Sequence, residues 1–189
     1  MGLVSHLEEF LGEIVSGSSG DDSTPPGVQV VMFGDDRPFA GITTLTTLGL
    51  SRHHLTQRTG ALHQELLMHL PQARLPANAI GVLFQVASMV VERGRGLARG
   101  EVVGPFGTLF EGTPMTALYA TGPGYLPAAF DRCLEANRTV VMTMLVPITD
   151  EEAAFIAAHG WRAFDDAIMD GDPDLTDPMR PALRLAKAG

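Results

Sequence analysis

The pattern of apolar and polar positions centres the chain on two neighbouring strands. Residues 42–50 are rich in Thr, Ile and Leu, a composition typical of a pleated, half-buried strand. Residues 52–60 are polar and end in Gly60, which indicates a connection, and residues 64–70 are a second apolar segment of strand length. Because a connection this short joins antiparallel neighbours readily, we predict an antiparallel pair.

The residues before this pair predict a helix and a linker. Apolar residues recur at helical spacing up to Ile14, and Ser5 with Glu8 has the form of a capping box, so a helix is predicted over residues 1–16. Residues 17–27 are rich in Ser, Gly and Pro, which predicts a flexible linker and a loosely docked helix. The remaining residues, 28–189, are predicted to form one domain that begins with a strand at residues 28–33.

The second half of the chain predicts a buried helix followed by short strands. The apolar stripe that opens at Pro76 and runs to about residue 92 covers most of its helix, so this helix is predicted to lie at the centre of the core. Short strands are predicted at residues 101–103, 108–110 and 116–121. A short helix opening at Pro127 would place Phe130, Cys133 and Leu134 on one face.

An interior strand and two helices complete the pattern. Residues 139–146 are almost continuously apolar and of strand length, which is typical of a strand covered on both faces. Thr149 and Glu152 form a capping box, and Gly160 stands in the usual place after a helix. Residues 150–159 and 161–169 are therefore predicted to be helices.

Charge and composition narrow the function classes. The net charge of −9 argues against general binding of nucleic acid or an anionic membrane, and it is compatible with a basic protein partner. The single cysteine excludes an internal disulfide framework and fits a reducing compartment. The first residues lack a basic segment followed by an apolar run, so we expect a soluble, cytoplasmic protein.

Four short motifs, in order along residues 28–181, resemble the bacterial members of the suppressor of fused (SUFU) family. They are Thr47-Leu-Gly-Leu-Ser51, Glu65-Leu-Leu67, Leu145-Val-Pro-Ile-Thr149 with Glu152, and Asp174-Leu-Thr-Asp-Pro178 with Arg180. The resemblance implies an α+β domain with a mixed, largely antiparallel sheet packed by helices, like the N-terminal domain of SUFU. The two-domain animal relative holds a transcription factor. The resemblance covers only its first domain, and we expect no room here for the second, so that partner and the interdomain groove do not carry over.

The resemblance also implies function. The family binds proteins and is not catalytic, so we expect no enzyme activity, no catalytic residues, no cofactor and no metal. For bacterial relatives it implies immunity proteins, which neutralise a toxin by masking its active surface. A regulatory module for a cellular protein remains the alternative.

A histidine cluster supports a different function class. His53, His54, His63 and Glu65 would approach one another if the two central strands pair, and imidazole and carboxylate groups suit zinc. This cluster would make the chain a small metal-dependent hydrolase. Adjacent residues of a strand point to opposite faces, however, so His53 and His54 would need a turn to share one ion. The alternative is that they are solvated loop histidines.

The acidic end of the chain supports a protein-binding surface. Residues 150–177 contain nine acids and one Arg, a local charge of −8, which suits either a solvated end or a docking face for a basic partner such as a toxin domain. Asp170, Asp172 and Asp174 begin like a calcium loop, but Leu175 and Pro181 stand where an EF-hand needs Gly and Glu. The residues predicted to bind a partner are Arg52, His53, His54, Asp165, Asp166, Asp170, Asp172 and Asp174.

Two remaining features favour structural roles. Cys133 is predicted to be a buried structural thiol, because it shares an apolar stripe with its neighbours. Arg93, Arg95 and Arg99 form a small basic patch, which is typical of a solvated turn and too small to bind nucleic acid.

Overall fold

The structure is a computed structural model that describes residues 2–57 and 60–185. The helices are α1 (Leu3–Leu11), α2 (Ala79–Arg93), α3 (Asp150–His159) and α4 (Trp161–Gly171). The strands are β1 (Ile14–Ser18), β2 (Gln29–Phe33), β3 (Ile42–Leu48), β4 (Leu55–Gln57), β5 (Gly60–Pro71), β6 (Val102–Val103), β7 (Met115–Thr121), β8 (Arg132–Glu135) and β9 (Arg138–Thr149). Single 3-10 turns lie at Leu50–Arg52, Gln72–Arg74 and Ala128–Asp131.

The strands form one mixed sheet. Its main path runs β1-β2-β3-β5-β9-β7-β6, with β4 paired to β5 and β8 paired to β9. Strands β5 and β9 pair in parallel, from His63 with Val140 to Leu67 with Met144, and the other pairs are antiparallel. The predicted fold class, a mixed and largely antiparallel sheet packed by helices, is therefore confirmed, and so is the antiparallel pair β3–β5.

Strand β9 occupies the middle of the sheet, as its apolar sequence predicts. It has β5 on one side and β7 and β8 on the other. Eight consecutive residues, 142–149, are buried, because helices cover both faces of the sheet at this place. A strand buried on both faces needs apolar residues at successive positions, and this requirement explains the run that the sequence shows.

Helix α2 covers one face of the sheet. Its buried residues, among them Leu83, Ala87 and Val90, pack with Leu66 of β5 and Leu118 of β7 in one hydrophobic cluster. The prediction that this helix lies at the centre of the core is correct only in part: the sheet separates two hydrophobic clusters, and α2 packs into one of them through one face. The helix ends at Gly94, which adopts a left-handed conformation (φ 59°) and donates its N–H to carbonyl groups of the last turn.

Helices α1, α3 and α4 cover the opposite face. Leu7 of α1, Ile156 of α3 and Phe164 of α4 belong to one cluster with Phe33 and Leu67 of the sheet. The capping box predicted for α3 is present: the Thr149 hydroxyl accepts from the N–H of Glu152, and the Glu152 carboxylate accepts from the N–H of Thr149. Among the described residues, no helix is long and apolar enough to cross a membrane.

The N-terminal prediction is wrong in three respects. Helix α1 ends at Leu11 rather than residue 16, and Gly2 rather than Ser5 stands at its N-cap. Strand β1 occupies the end of the predicted helix and the first residues of the predicted linker, where it pairs with β2. The helix is also firmly docked, because Leu7 and Leu11 are fully buried.

Three further predictions fail for local reasons. The predicted connection at residues 52–60 contains β4, which folds back on β5 from Leu55 to Gln57. Residues 108–110 are an irregular turn, although Leu109 and Phe110 are buried. The helix predicted from Pro127 is a single 3-10 turn followed by β8, so Cys133 points into the core while Leu134, one residue later, is 70% exposed. The prediction that Cys133 is buried is nevertheless confirmed.

The docking of α1 is tested by Leu7→Ala. We expect a loss of about 2–5 kcal/mol of unfolding free energy, because truncation of a fully buried leucine removes its contacts and leaves a cavity. Urea unfolding of the whole chain measures the loss. The control is Val4→Ala on the exposed side of the same helix, which should change stability by about 0.5 kcal/mol or less. Equal, small effects of both substitutions would mean that the helix is loosely attached.

Candidate functional site

Glu65 is a buried carboxylate at the centre of the sheet, held by the turn that follows β3. It accepts hydrogen bonds from the Thr47 hydroxyl (2.7 Å) and from the backbone N–H groups of Gly49 (3.0 Å), Leu50 (3.2 Å) and Ser51 (3.0 Å). The three N–H groups are available because the 3-10 turn begins here and leaves its first donors without backbone partners. The Glu65 cluster, as we call these five residues, thus joins β3 to β5 through side-chain and backbone groups.

The turn in the Glu65 cluster requires glycine. Gly49 has φ 106°, and a Cβ atom on it would lie 2.3 Å from the carbonyl oxygen of Gly27. Burial raises the pKa of the Glu65 carboxyl above its ordinary value, while the hydrogen bonds from Thr47, Ser51 and Gly49 oppose that shift. The motif Thr47-Leu-Gly-Leu-Ser51 and the later Glu65 are therefore two halves of one structural element.

The predicted histidine cluster does not assemble. Glu65 is occupied by its four donors, His63 donates through Nδ1 to the carbonyl oxygen of Ser51 (2.8 Å), and His53 donates through Nε2 to that of Pro26 (3.0 Å). His54 is exposed. Within residues 2–57 and 60–185, no group of three or more His, Cys, Asp or Glu side chains is placed to hold a metal ion. The zinc hydrolase hypothesis therefore lacks the arrangement of side chains on which it depended.

A second buried carboxylate, Glu152, holds the C-terminal segment against the sheet. Its two oxygens accept from Nη1 and Nη2 of Arg180 at 2.6 and 2.9 Å, and the N–H groups of Thr149 (2.9 Å) and Leu183 (3.0 Å) complete the set. Nη2 of Arg180 also donates to the carbonyl oxygen of Pro147 (3.1 Å). Both charged side chains are buried, so each depends on the other to offset the cost of losing water. We call this arrangement the Glu152–Arg180 pair.

The segment before Arg180 is a series of side-chain-supported turns. Asp174 accepts from the N–H and the hydroxyl of Thr176 (3.0 and 2.6 Å), and Asp177 accepts from the N–H of Met179 (2.9 Å). Short polar side chains stabilise such turns by bonding to the backbone two residues on. These turns fix the course of the chain that brings the guanidinium of Arg180 to Glu152.

An open groove lies between α3, α4 and the C-terminal segment. It encloses about 1010 Å³, and we call it the acidic groove. Its apolar lining includes Phe155, Ala163, Ala167 and Leu183. Its acidic lining is formed by Asp166, Asp170, Asp174 and Asp177, and Arg180 and Arg184 also border it. Asp166, Asp170 and Asp174 of the predicted partner-binding set come together on this concave surface.

The predicted partner-binding residues divide into three groups. Asp166, Asp170 and Asp174 line the acidic groove, and Asp172 is exposed just after α4. Arg52, His53 and His54 belong to the turn near Glu65, and no hydrogen bond or ion pair among the described residues links them to the acids. The two sets therefore lie in different parts of the fold, and which of them contacts a partner stays a prediction.

Asp165 forms a group of its own. Its carboxylate accepts from the Tyr119 hydroxyl (2.7 Å) and pairs with the Arg99 guanidinium (2.8 Å). Burial, and next the hydrogen bond to Asp165, raise the pKa of Tyr119. Arg99 also lies over the Trp161 ring, 5.3 Å from its centroid. Asp165 thus attaches α4 to the sheet and is committed to internal contacts, unlike Asp166 and Asp170 on the same helix, which make no ion pair among the described residues.

The sequence did not reveal the apolar floor of the groove. Ala163 and Ala167 are small residues on a helix, and Phe155 and Leu183 come from distant segments. The spacing of Ala163, Asp166, Ala167 and Asp170 on α4 was a usable signal, since positions three and four apart share one face of a helix. Leu183 reaches the groove only because the Glu152–Arg180 pair positions its segment.

The family of this chain is shown by a match over most of its length. A family model described as "Suppressor of fused protein (SUFU)" matches residues 24–181. The chain belongs to the SUFU family. This confirms the resemblance drawn from the sequence, and the motif residues of that resemblance are those of the Glu65 cluster and the Glu152–Arg180 pair. SUFU is a regulatory family of protein-binding domains.

Three solved structures share the SUFU fold. One from Neisseria gonorrhoeae FA 1090, described as a SUFU homologue, has 19% identity and a TM-score of 0.73, and the match covers 94% of this chain and 92% of that one. A chain of the Sufu-Fu complex has 14% identity and a TM-score of 0.69, with 95% and 90% covered. Drosophila Suppressor of Fused also gives 14% and 0.69, with 96% of this chain covered but only 50% of that protein. Comparison with the curated proteins gives no match.

The structural role of Glu65 is tested by Glu65→Gln. The amide would replace one acceptor oxygen by a donor that faces the N–H groups of the turn, so we expect a loss of about 2–4 kcal/mol of unfolding free energy. Urea unfolding at neutral pH measures it. The control, His54→Gln at an exposed position of the same turn, should leave stability unchanged. Unchanged stability of Glu65→Gln would contradict the structural role.

The buried side chain of His69 is expected to make the unfolding free energy depend on pH. His69 on β5 bonds through Nδ1 to the Thr44 hydroxyl (2.8 Å), its Nε2 has no partner among the described residues, and burial lowers its pKa from 6.5 to about 4. Between these two values the unfolded chain binds more protons than the folded one, so stability falls as the pH drops from about 6.5 to about 4. We expect His69 to contribute up to about 3 kcal/mol to that fall.

The measurement is the unfolding free energy as a function of pH. His69→Gln should be less stable at neutral pH, yet its stability should decrease less between pH 6.5 and 4 than that of the unmodified chain. Parallel pH profiles for the two proteins would show that His69 does not titrate in this window.

Proposed function

We propose that this SUFU domain is a non-enzymatic protein-binding module that binds a basic partner through the acidic groove. The observation that carries the proposal is the groove itself, in which an apolar floor is bordered by carboxylates. Protein interfaces commonly combine an apolar centre with a polar rim. The family, which binds proteins, supports the same general function.

The charge of the groove favours a basic partner. Asp166 and Asp170 lie one helical turn apart on the exposed side of α4, and no ion pair neutralises them within the described part of the chain. The chain as a whole carries −9, so a positively charged protein would be attracted over a distance and oriented before contact. By contrast, Asp165 is already paired with Arg99 and contributes less to this attraction.

The more specific form of the proposal is an immunity protein that neutralises a bacterial toxin domain. Many nuclease toxins have basic substrate-binding surfaces, and an acidic groove would cover such a surface by charge and shape complementarity. The alternative is a regulatory module for a cellular protein. That alternative is supported by the structure of a relative in the Sufu-Fu complex, because that relative is seen together with a protein partner.

The partner is to be captured from the native host with a tag at the N-terminus, because the C-terminal segment forms one wall of the groove. A stoichiometric partner with a toxin domain, together with restored growth when the two are co-expressed, would support immunity. A stoichiometric partner of another kind would support regulation. Failure to capture any partner, from cells that produce the chain, would contradict the protein-binding function.

The acidic groove is tested by Asp166→Lys combined with Asp170→Lys. We expect the association rate with the captured partner to fall about tenfold or more at low salt, and its dependence on ionic strength to weaken, because two steering charges are reversed. Stopped-flow measurements across a salt series give both quantities. The control reverses the exposed Asp35 and Asp36, which lie in the turn after β2, and should have a much smaller effect. Equal effects of the two double variants would remove the groove from the interface.

A further inference from the structure

A second concave site lies between α2 and the edge of the sheet. It encloses about 360 Å³ and is separate from the acidic groove. Its apolar lining is formed by Val82, Val86, Met89, Val103, Leu109 and Leu118. Five of these six side chains are buried, and Met89 is half-buried, so the site reaches into the core rather than lying on a flat surface. We call it the α2 pocket.

The size and lining of the α2 pocket suit a small apolar molecule. Ligand sites in proteins typically enclose about 300–1,000 Å³ and combine an apolar wall with a few polar groups. Here the polar groups are Gln85 and Arg93, both on α2, and the apolar residues Val82, Val86 and Met89 lie along the same side of the helix. Arg93 therefore stands at one end of an apolar trough that follows the helix axis.

Arg93 differs from the other arginines of its basic patch. Arg95 forms a close pair with Glu101 (2.7 Å), and Arg99 forms one with Asp165 (2.8 Å). The three side chains are similarly exposed, but Arg93 approaches Glu101 only at 3.9 Å. Among these three, the Arg93 guanidinium has the most capacity left for an anion at the mouth of the pocket.

Phe106 borders the pocket and is 65% exposed. It lies on the loop between β6 and β7, next to Gly107, which has φ 83°. Most of the surface of this large aromatic side chain is in contact with water, and the cavity beside it is apolar. The ring is therefore in a position to cover a ligand in the α2 pocket and to bury its own surface in doing so.

We propose that the α2 pocket binds a medium-chain monocarboxylate, with its alkyl chain along Val82, Val86 and Met89 and its carboxylate on Arg93. The apolar lining accounts for the alkyl chain, and Arg93, the one cationic side chain among the described residues of the lining, accounts for the single negative charge. This proposal is independent of the partner that the acidic groove binds. If the α2 pocket bound no ligand, the acidic groove could still bind a partner. If the groove bound no partner, the α2 pocket could still bind a ligand.

The test uses octanoate and 1-octanol with the whole isotope-labelled chain, followed by amide and methyl NMR shifts. Octanoate is expected to bind one-to-one and to shift resonances of residues in the α2 pocket. Arg93→Gln should weaken octanoate about tenfold, the loss of about 1.4 kcal/mol, and leave octanol binding unchanged. Arg95→Gln is the matched control, because Arg95 lies outside the pocket, and it should leave both affinities unchanged.

A second variant, Met89→Trp, fills the trough and should abolish binding of both molecules. No shift with octanoate at millimolar concentration would overturn the proposal, and so would shifts scattered over the surface instead of the pocket. Equal octanoate affinity in Arg93→Gln and the unmodified chain would overturn the role of the carboxylate. The location of the shifts decides the question even if Met89→Trp does not fold.

Discussion

The buried Glu152–Arg180 pair is the interaction on which the candidate site depends. A carboxylate and a guanidinium removed from water each carry a large desolvation cost, which is offset only when both are present and well bonded. Here the pair is bidentate, and N–H groups and a carbonyl group satisfy further positions. Its location makes it important, because it connects the end of β9 and the start of α3 to the C-terminal segment, whose described residues 172–185 form no helix or strand.

Glu65 is also a buried carboxylate whose loss of water must be offset. Its partners are a hydroxyl and backbone N–H groups instead of a guanidinium. Three backbone N–H groups of one turn converge on a single carboxylate, so the conformation of that turn is determined by a residue on another strand. The motifs that resemble the SUFU family are thus residues that maintain the architecture. The acids that we propose meet a partner lie on α4 and in the C-terminal segment. Asp166 and Asp170 make no ion pair among the described residues, whereas Asp174 belongs to a family motif and supports a turn.

The sequence predicted long, strongly patterned elements well and short ones poorly. The apolar run of β9, the helix α2 and the capping box of α3 each have a local cause that can be read from adjacent residues. Strand β8 has no such local cause. Phe130, Cys133 and Leu134 fit helical spacing, and only the pairing of β8 with β9 places Cys133 inward and Leu134 outward. Strand β1 was missed for a similar reason, since its Ser and Gly residues are typical of a linker and its pairing with β2 is a tertiary effect.

The candidate site was predictable in its charge but not in its shape. The acids of α4 and the turn after it are visible in the sequence, whereas Asp165 looks like its neighbours there and is distinguished only by Tyr119 and Arg99. The predicted histidine cluster does not form a metal site, because the Glu65 carboxylate, which the zinc hypothesis needed as a ligand, accepts hydrogen bonds from Thr47 and the turn after it. Such enclosure depends on the backbone conformation at Gly49, which apolar patterning does not encode.

The parallel pairing of β5 with β9 has a consequence for folding. Strands β1, β2, β3 and β5 are joined by antiparallel pairs in chain order, and β8 and β9 form a hairpin, so each group can form from contacts that are close in sequence. The two groups meet only when β5 finds β9, which means that a long intervening segment must be closed at an entropic cost. The parallel pairing is thus a step of high contact order, and we expect it to limit the rate at which the two halves of the sheet become one.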